Sequence, residues 1–195
     1  GVKHAAEVLG RGSEMYAIHV KGQEVPMHEP RLKKALGLGY AVSPTGADHC
    51  HNMHDTFMTR DNYERVRPLG ILDEVPVSSL GPDKVRLYKT FTDWRILANC
   101  LCICSFPPWR FTEYVELLNA VTGWDTSMHE LVLAAERALS LSRVFNIREG
   151  FSSADDCLPE RFFRPQTSGF LSETAVDREE LSNAIRTYYG MMGWD

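Results

Sequence analysis

The sequence predicts a single, mainly α domain over residues 1–195, with at most one or two short strands near its start. Three observations carry this. The second half holds long segments whose apolar residues recur at helical spacing. Two of these segments open with a capping residue followed three positions later by glutamate. Apolar–polar alternation is confined to one stretch that ends at Val25.

Taken in order, Val2 to Val8 reads as a short helix closed by Gly10. Tyr16 to Val25 ("YAIHVKGQEV") alternates enough for a strand. Pro26 and Pro30 then hold "VPMHEPR" extended. "RLKKALGLGYAVSP" has a helical pattern interrupted by Gly37 and Gly39, and the histidine-rich stretch follows Pro44. Thr59 to Asp83 reads as a polar linker. Beyond it, "DKVRLYKTFTDWRILANCLCICSF" places Val85, Leu87, Tyr88, Phe91, Trp94, Ile96 and Leu97 at helical spacing. "PWRFTEYVELLNAVTG" opens with Pro108 near a helix N-terminus and closes at Gly123. The next helix opens with a capping box, Ser127 and Glu130, and ends at Gly150. Its apolar face is read as Leu131, Ala134, Ala135, Ala138, Leu141 and Phe145. Asp177 and Glu180 repeat the device before the last helix. There is no internal repeat and no low-complexity tract.

Composition narrows the function classes. With 44% hydrophobic and 24% charged residues the chain is ordinary globular material. A net charge of −5 argues against nucleic acid or an anionic membrane as the main partner. No apolar run approaches the roughly 18 residues of a membrane span, and no signal peptide opens the chain. A soluble, cytoplasmic protein is expected. The 5 cysteines are odd in number and three crowd between Cys100 and Cys104, unlike a secreted disulfide scaffold. Reduced thiols or metal ligands fit better. The chain starts at Gly1 inside one helical pattern and stops just after another, as a piece of a longer sequence would.

The densest chemistry is "GADHCHNMHD", Gly46 to Asp55. Asp48, His49, Cys50, His51 and His54 are all of metal-ligating type. On a helix Asp48 and His51 would share a face, as would His51 and Asp55, but no H-x-x-x-H or H-E-x-x-H pair is present. Three readings stay open: a polar loop whose histidines cap backbone groups, a metal site, or a catalytic histidine poised near neutral pH. In "CLCIC", Cys100, Cys102 and Cys104 are two apart and miss the C-x2-C spacing of zinc and iron–sulfur loops. On spacing alone Cys100 and Cys102 read as small core residues. Gly37 and Gly39 are too few for a phosphate loop and lack a following Lys-Ser/Thr. The arginines of "ERALSLSRVFNIREG" and "LPERFFRP" read as solvated or ion-paired.

"KGQEVPMHEPR", "GLGYAVSPTGADHC", "CLCIC", "GWD", "ERALSLSRVFNIREGF", "DDCLPERF" and "YYGMMGWD" follow one another in this order. Together they resemble the C-terminal part of the aldehyde:ferredoxin oxidoreductase family, and the resemblance runs along nearly the whole chain. It implies a tungsten or molybdenum bis-pterin with a nearby [4Fe–4S] cluster in the full-length protein. It also implies the last helical domain of the family's fold, with a turn or so of the middle domain. The N-terminal β domain and the C-x2-C-x3-C stretch that supplies the other cluster cysteines lie outside these residues. Neither group is expected to be held by the 195 residues alone, since one cysteine of four cannot hold a cluster.

Carried over by position, His49 matches the family's histidine beside the metal, with the role of handling a proton at the substrate oxygen. His28 matches a substrate-pocket position. Cys104 matches the fourth cluster cysteine. Asn99, Ile103 and His51 are assigned to cofactor contact. Asn99 stands where the family typically has aspartate, and Cys102 where it has glycine, so charge is lost and bulk added at a pterin contact. The implied reaction is oxidation of an aldehyde to a carboxylic acid, with electrons passing through the cluster to ferredoxin. The implied partners are ferredoxin, the aldehyde and the remaining domains, with self-association through a normally covered apolar surface. Three alternatives accompany it: a non-catalytic helical binding module derived from the family; a related tungsten enzyme acting on aromatic acyl thioesters; and a small metal domain built on His49, Cys50, His51 and His54.

Overall fold

The structure, a computed structural model, describes residues 1–104, 106, 107 and 109–194. Among these residues are seven α-helices and one two-stranded sheet, the mainly α architecture expected. Helix α1 covers Val2–Leu9 and is closed by Gly10, as its sequence predicts.

The expected strand from Tyr16 to Val25 is a small hairpin instead. Ser13–Tyr16 forms a 3₁₀ turn, and strands β1 (His19–Val20) and β2 (Gln23–Glu24) pair antiparallel. Two residues, Lys21 and Gly22, join them at φ +50° and +87°. Positive φ at both central positions matches the twist of a tight hairpin. Lysine is unusual there, and its side chain supplies the reason. Its Nζ lies 2.8 Å from the buried Asp156 carboxylate and donates to the Ala41 carbonyl.

Helix α2 (Lys34–Val42) is buried from Ala35 onward. A helix apolar on every side belongs in the middle of a fold. Its two glycines are packing residues. A Cβ on Gly39 would sit 2.4 Å from Asn52 Oδ1, and one on Gly37 would sit 3.1 Å from the Pro30 side chain. The N-terminus of α2 has no cap of its own. Asp55, far along the chain, accepts from the Ala35 and Leu36 N–H groups, each at 3.1 Å, which satisfies two orphan donors. Lys84 Nζ lies 3.0 Å from the same carboxylate, and both partners are buried.

The stretch expected as a polar linker is ordered structure: helix α3 (Arg60–Val66) and a 3₁₀ turn, Arg67–Leu69. Its apolar residues are too sparse for a periodic signal, yet Tyr63, Val66, Ile71 and Leu80 all enter the core. The Tyr63 hydroxyl binds both the N–H (2.9 Å) and the carbonyl (3.2 Å) of Val75.

Helix α4 (Pro82–Cys100) is the spine, packed against α2, α6 and α7. Helices α5 (Phe111–Thr122), α6 (Met128–Arg148) and α7 (Arg178–Met192) complete the fold. The expectation that Pro108 opens α5 falls outside the described residues. Both predicted caps form: Ser127 accepts from the Glu130 N–H at 3.3 Å and Asp177 from the Glu180 N–H at 2.8 Å. Tyr88 of α4 meets Tyr188 of α7 edge-on at 5.4 Å. Trp94 packs on Phe111 at 4.4 Å.

The buried row of α6 is Leu131, Ala135, Leu139 and Arg143, whereas Leu141 and Phe145 are 70% and 62% exposed. The two rows coincide at the start of the helix and diverge at its end. Steps of four residues drift around the helix, and Arg143 takes the inward place because its Nη1 lies 2.6 Å from Asp156. Between α4 and α6, Lys89 bridges Asp93 (2.9 Å) and Glu136.

Helix α4 stops at Cys100, short of the full periodic stretch. The Ile103 N–H donates to the Ala98 carbonyl (2.9 Å) and the Cys102 N–H to that of Asn99 (3.0 Å). This pair of bonds is a Schellman closure, and it puts Cys102 at φ +56° in the place usually taken by glycine. A left-handed L-residue costs roughly 1–2 kcal/mol. Cys102→Gly is therefore expected to stabilise the chain by about 1 kcal/mol in urea unfolding, because glycine's greater unfolded-state freedom offsets part of the relief. An unchanged midpoint would contradict this reading of the turn.

Candidate functional site

The histidine-rich stretch is a tight turn tied down at several points. Gly46, at φ +79°, passes so close to β1 that a Cβ would sit 2.1 Å from the Val20 carbonyl oxygen. Asp48 Oδ1 accepts from the Cys50 N–H at 2.7 Å and the His51 N–H at 3.4 Å. Asn52 donates to the Asp48 carbonyl at 2.6 Å and accepts from the Tyr88 hydroxyl at 2.8 Å, which fastens the turn to α4. Asp48 and Asn52, rather than the histidines expected, make most of these backbone contacts.

The histidines do something else. His28, His49 and His54 converge, with ring centroids 5.0 Å (His28–His49), 4.5 Å (His28–His54) and 6.1 Å (His49–His54) apart. His54 Nε2 lies 2.9 Å from the His49 carbonyl oxygen and, as donor, holds that residue's backbone. Lys33 Nζ lies 3.2 Å from His54 Nδ1 and 3.4 Å from His28 Nδ1. An ammonium has only donors, so both Nδ1 atoms accept and both rings are neutral with the proton on Nε2. Burial pushes His54 down to about 4, against the pull of its bond to His49 and helped by the Lys33, His28 and His49 charges. Burial and then Lys33 lower His28 as well, and burial lowers Lys33. Phe57 stacks on His54 at 5.0 Å and closes one side. The arrangement presents neutral imidazoles of His28 and His54 beside the Lys33 amine, a polar surface able to hydrogen-bond an oxygen.

His51 is not part of this group: its Nδ1 lies 3.3 Å from Asp48 Oδ2. The metal set of His49, Cys50, His51 and His54 is therefore not assembled, since both nitrogens of His54 are also engaged. The donor atoms that do gather belong to Asp48, His49 and Cys50. Sequence reading missed Lys33 and Phe57, and it weighed His54 as a ligand or a cap of backbone groups, of which the second is what forms at the His49 carbonyl. Nothing in the spacing marks Lys33, which joins the site only because α2 begins beside the turn.

At the end of α4, Asn99, Cys100, Cys102 and Cys104 are exposed, so the core reading of Cys100 and Cys102 is corrected. The helix ends one turn too early to bury them. Ile103 is half-buried and its N–H is engaged with Ala98, leaving its carbonyl and side chain for any contact. Cys104 is a free, exposed thiol. Arg95 lies one turn before this end of α4. It stacks over Phe91 and Trp94, burial lowers its pKa, and the charges of Tyr114 and Cys50 act on it in the opposite sense.

Comparison with known proteins gives the site its setting. The family model described as aldehyde ferredoxin oxidoreductase, domains 2 and 3, matches residues 1–195. The tungsten-containing aldehyde ferredoxin oxidoreductase of Thermococcus kodakarensis is 29% identical over 97% of this chain, and that of Pyrococcus furiosus 29% over 94%. This chain spans 31% and 29% of those proteins. An aliphatic sulfonate oxidoreductase, WOR-like subunit, of P. furiosus is 25% identical over 97% of the chain and 27% of its own length. In fold, the chain is similar over its whole length to 33% of a chain of the active-site complex BamBC of benzoyl-coenzyme A reductase, with a TM-score of 0.60 and 19% identity. The match of the family model from end to end settles the assignment: the chain belongs to the aldehyde ferredoxin oxidoreductase family.

Proposed function

We propose that this chain is the C-terminal part of an oxidoreductase that converts aldehydes to carboxylic acids and delivers electrons through a [4Fe–4S] cluster to ferredoxin. One observation carries the reading: in a member of this family, His49 and His28 stand together, their ring centroids 5.0 Å apart. The exposed thiol of Cys104 suits a cluster ligand, while Asn99 and Cys102 depart from the family's pattern at the pterin contact. Cys104 would give one thiolate to the cluster, and Asn99, Ile103 and His51 would contact the cofactor. When bound, the tungsten or molybdenum bis-pterin supplies the two-electron chemistry.

The chain's own residues do the rest. His49 donates to, or moves a proton at, the substrate oxygen. His54 fixes the backbone of His49, and Lys33 fixes the tautomer of His54. His28 forms the adjacent wall of the pocket. Ferredoxin and the remaining domains are the proposed partners. The exposed row of Leu141, Val144 and Phe145 favours self-association of the 195 residues taken alone. Alone, they are expected to hold neither tungsten nor cluster and to leave aldehydes unoxidised.

The test is metal analysis of the whole protein from its native start, purified without oxygen. The expected result is one tungsten or molybdenum with the iron of one cubane, and loss of the cluster's reduced-state EPR signal in Cys104→Ser. A whole protein with neither metal nor iron would overturn the reading in favour of a binding module that keeps only the ancestry.

A further inference from the structure

We infer that the groove between α7 and the segment 153–163 is a binding site for a small organic carboxylate with an apolar body. Its cavity of about 430 Å³ falls within the range of ligand pockets. The 3₁₀ turns Ser153–Asp155 and Glu160–Phe163 bring Ser153 and Phe163 to one wall. The other wall is α7, whose residues 178, 181, 182, 185, 186 and 189 share one face because they recur three and four apart. Phe163, Leu181 and Ile185 supply the apolar surface. The two arginines differ. Arg178 is engaged, lying 3.9 Å over the Phe163 ring and paired with Glu160. Arg186 pairs with no carboxylate among the described residues and donates only to the neutral Asn183 side chain. Its planar guanidinium is suited to a carboxylate, which it can grip with two parallel bonds. Ser182 stands one turn before Arg186 and Tyr189 one turn after it, so an anion held at Arg186 has hydroxyls on both sides. The apolar body would then lie along Ile185 and Leu181 toward Phe163.

A second, independent sign lies behind the cavity wall. Asp156 lines the cavity and serves two cations at once, Lys21 Nζ at 2.8 Å and Arg143 Nη1 at 2.6 Å. The Tyr189 hydroxyl also donates to it. The side chains of Lys21, Asp156 and Arg143 are 2%, 0% and 11% exposed, so two positive charges are buried against one negative. The neighbouring Asp155 does not make up the difference, because its carboxylate is held by the Ser152 N–H and hydroxyl. Buried charges are normally balanced, and a surplus is costly. Lys21 even takes a left-handed backbone position, φ +50°, to bring its ammonium there. The surplus positive charge stands one side chain behind the cavity surface, where an anion from solution would offset it.

None of these residues belongs to the group of His28, His49 and His54, so the site does not rest on the proposed aldehyde chemistry and its test needs no turnover. Isothermal titration calorimetry of the whole protein uses 4-phenylbutanoate as the probe. The expected result is one equivalent bound. Inorganic phosphate, which lacks the apolar body, and 4-phenylbutan-1-ol, which lacks the charge, should each bind roughly 10-fold more weakly or not at all. Arg186→Gln, at an exposed position, should weaken 4-phenylbutanoate roughly 10-fold with an unchanged Tm. Ser182→Phe, also exposed, should block it by filling the groove. Absence of binding, equal binding of the alcohol, or binding that survives both variants would overturn the assignment.

Discussion

Asp55→Ala is expected to lower the stability of the chain by about 3–5 kcal/mol, the range for removing one partner of a buried ion pair. Asp55 is 1% exposed, and its carboxylate does three jobs at once. It caps Ala35 and Leu36 at the start of α2 and neutralises Lys84 on α4. Its loss leaves an ammonium and two N–H groups without partners in the interior. Lys84→Met, which keeps the aliphatic stem, should be less harmful because the carboxylate retains both N–H bonds. In Asp55→Asn/Lys84→Met no buried charge remains, so the double variant should be more stable than the sum of its single variants predicts. Urea unfolding of wild type, Asp55→Ala, Asp55→Asn, Lys84→Met and the double variant measures this. A loss below 1 kcal/mol for Asp55→Ala would mean that the pair is hydrated. The same residue anchors the site, since His54 precedes it and Lys33 precedes the helix it caps.

The second large effect is in pH. Burial between α4 and α6 raises the Asp93 carboxyl from 3.8 to about 6, and Lys89 opposes this only in part. A carboxyl that binds its proton more tightly when folded adds stability below the unfolded value, and that stability is lost as pH rises through the folded value. The window is pH 4 to 6. Asp93→Asn carries no such titration, and Lys89 keeps Glu136 as a partner. Relative to wild type, the variant should therefore gain about 3 kcal/mol between pH 4 and pH 8, at roughly 1.4 kcal/mol per pH unit of difference. Thermal unfolding at the two pH values tests it. A constant difference between the proteins would show that Asp93 is ionised throughout.

Much of the fold was legible because it rests on local signals. Ser127 with Glu130 and Asp177 with Glu180 cap the helices their spacing announces. What escaped depends on contacts distant in sequence. The segment from Thr59 to Asp83 is ordered by Tyr63, which clasps Val75 twelve residues on, and by the burial of Tyr63 and Val66 in the core. The inward face of α6 ends on an arginine because Asp156 waits for it. The hairpin hides in an alternating stretch because its turn uses a lysine whose role is tertiary. In the site, His28 and His49 were legible only through family resemblance, carried by motifs rather than by spacing. Lys33 and Phe57 carried no signal, because their place is set by where α2 starts and where the turn ends. Cys100 and Cys102 were misread as core because spacing does not tell where a helix stops.

The claim that His49 handles the substrate proton is tested most directly in the whole protein loaded with its metals. His49→Asn keeps a hydrogen-bonding side chain on the same turn without an imidazole. The account predicts unchanged tungsten or molybdenum and iron content, with aldehyde oxidation slowed about 10²–10⁴-fold, the usual reach of a general acid–base group. A fully loaded variant that oxidises aldehyde at the wild-type rate would contradict it.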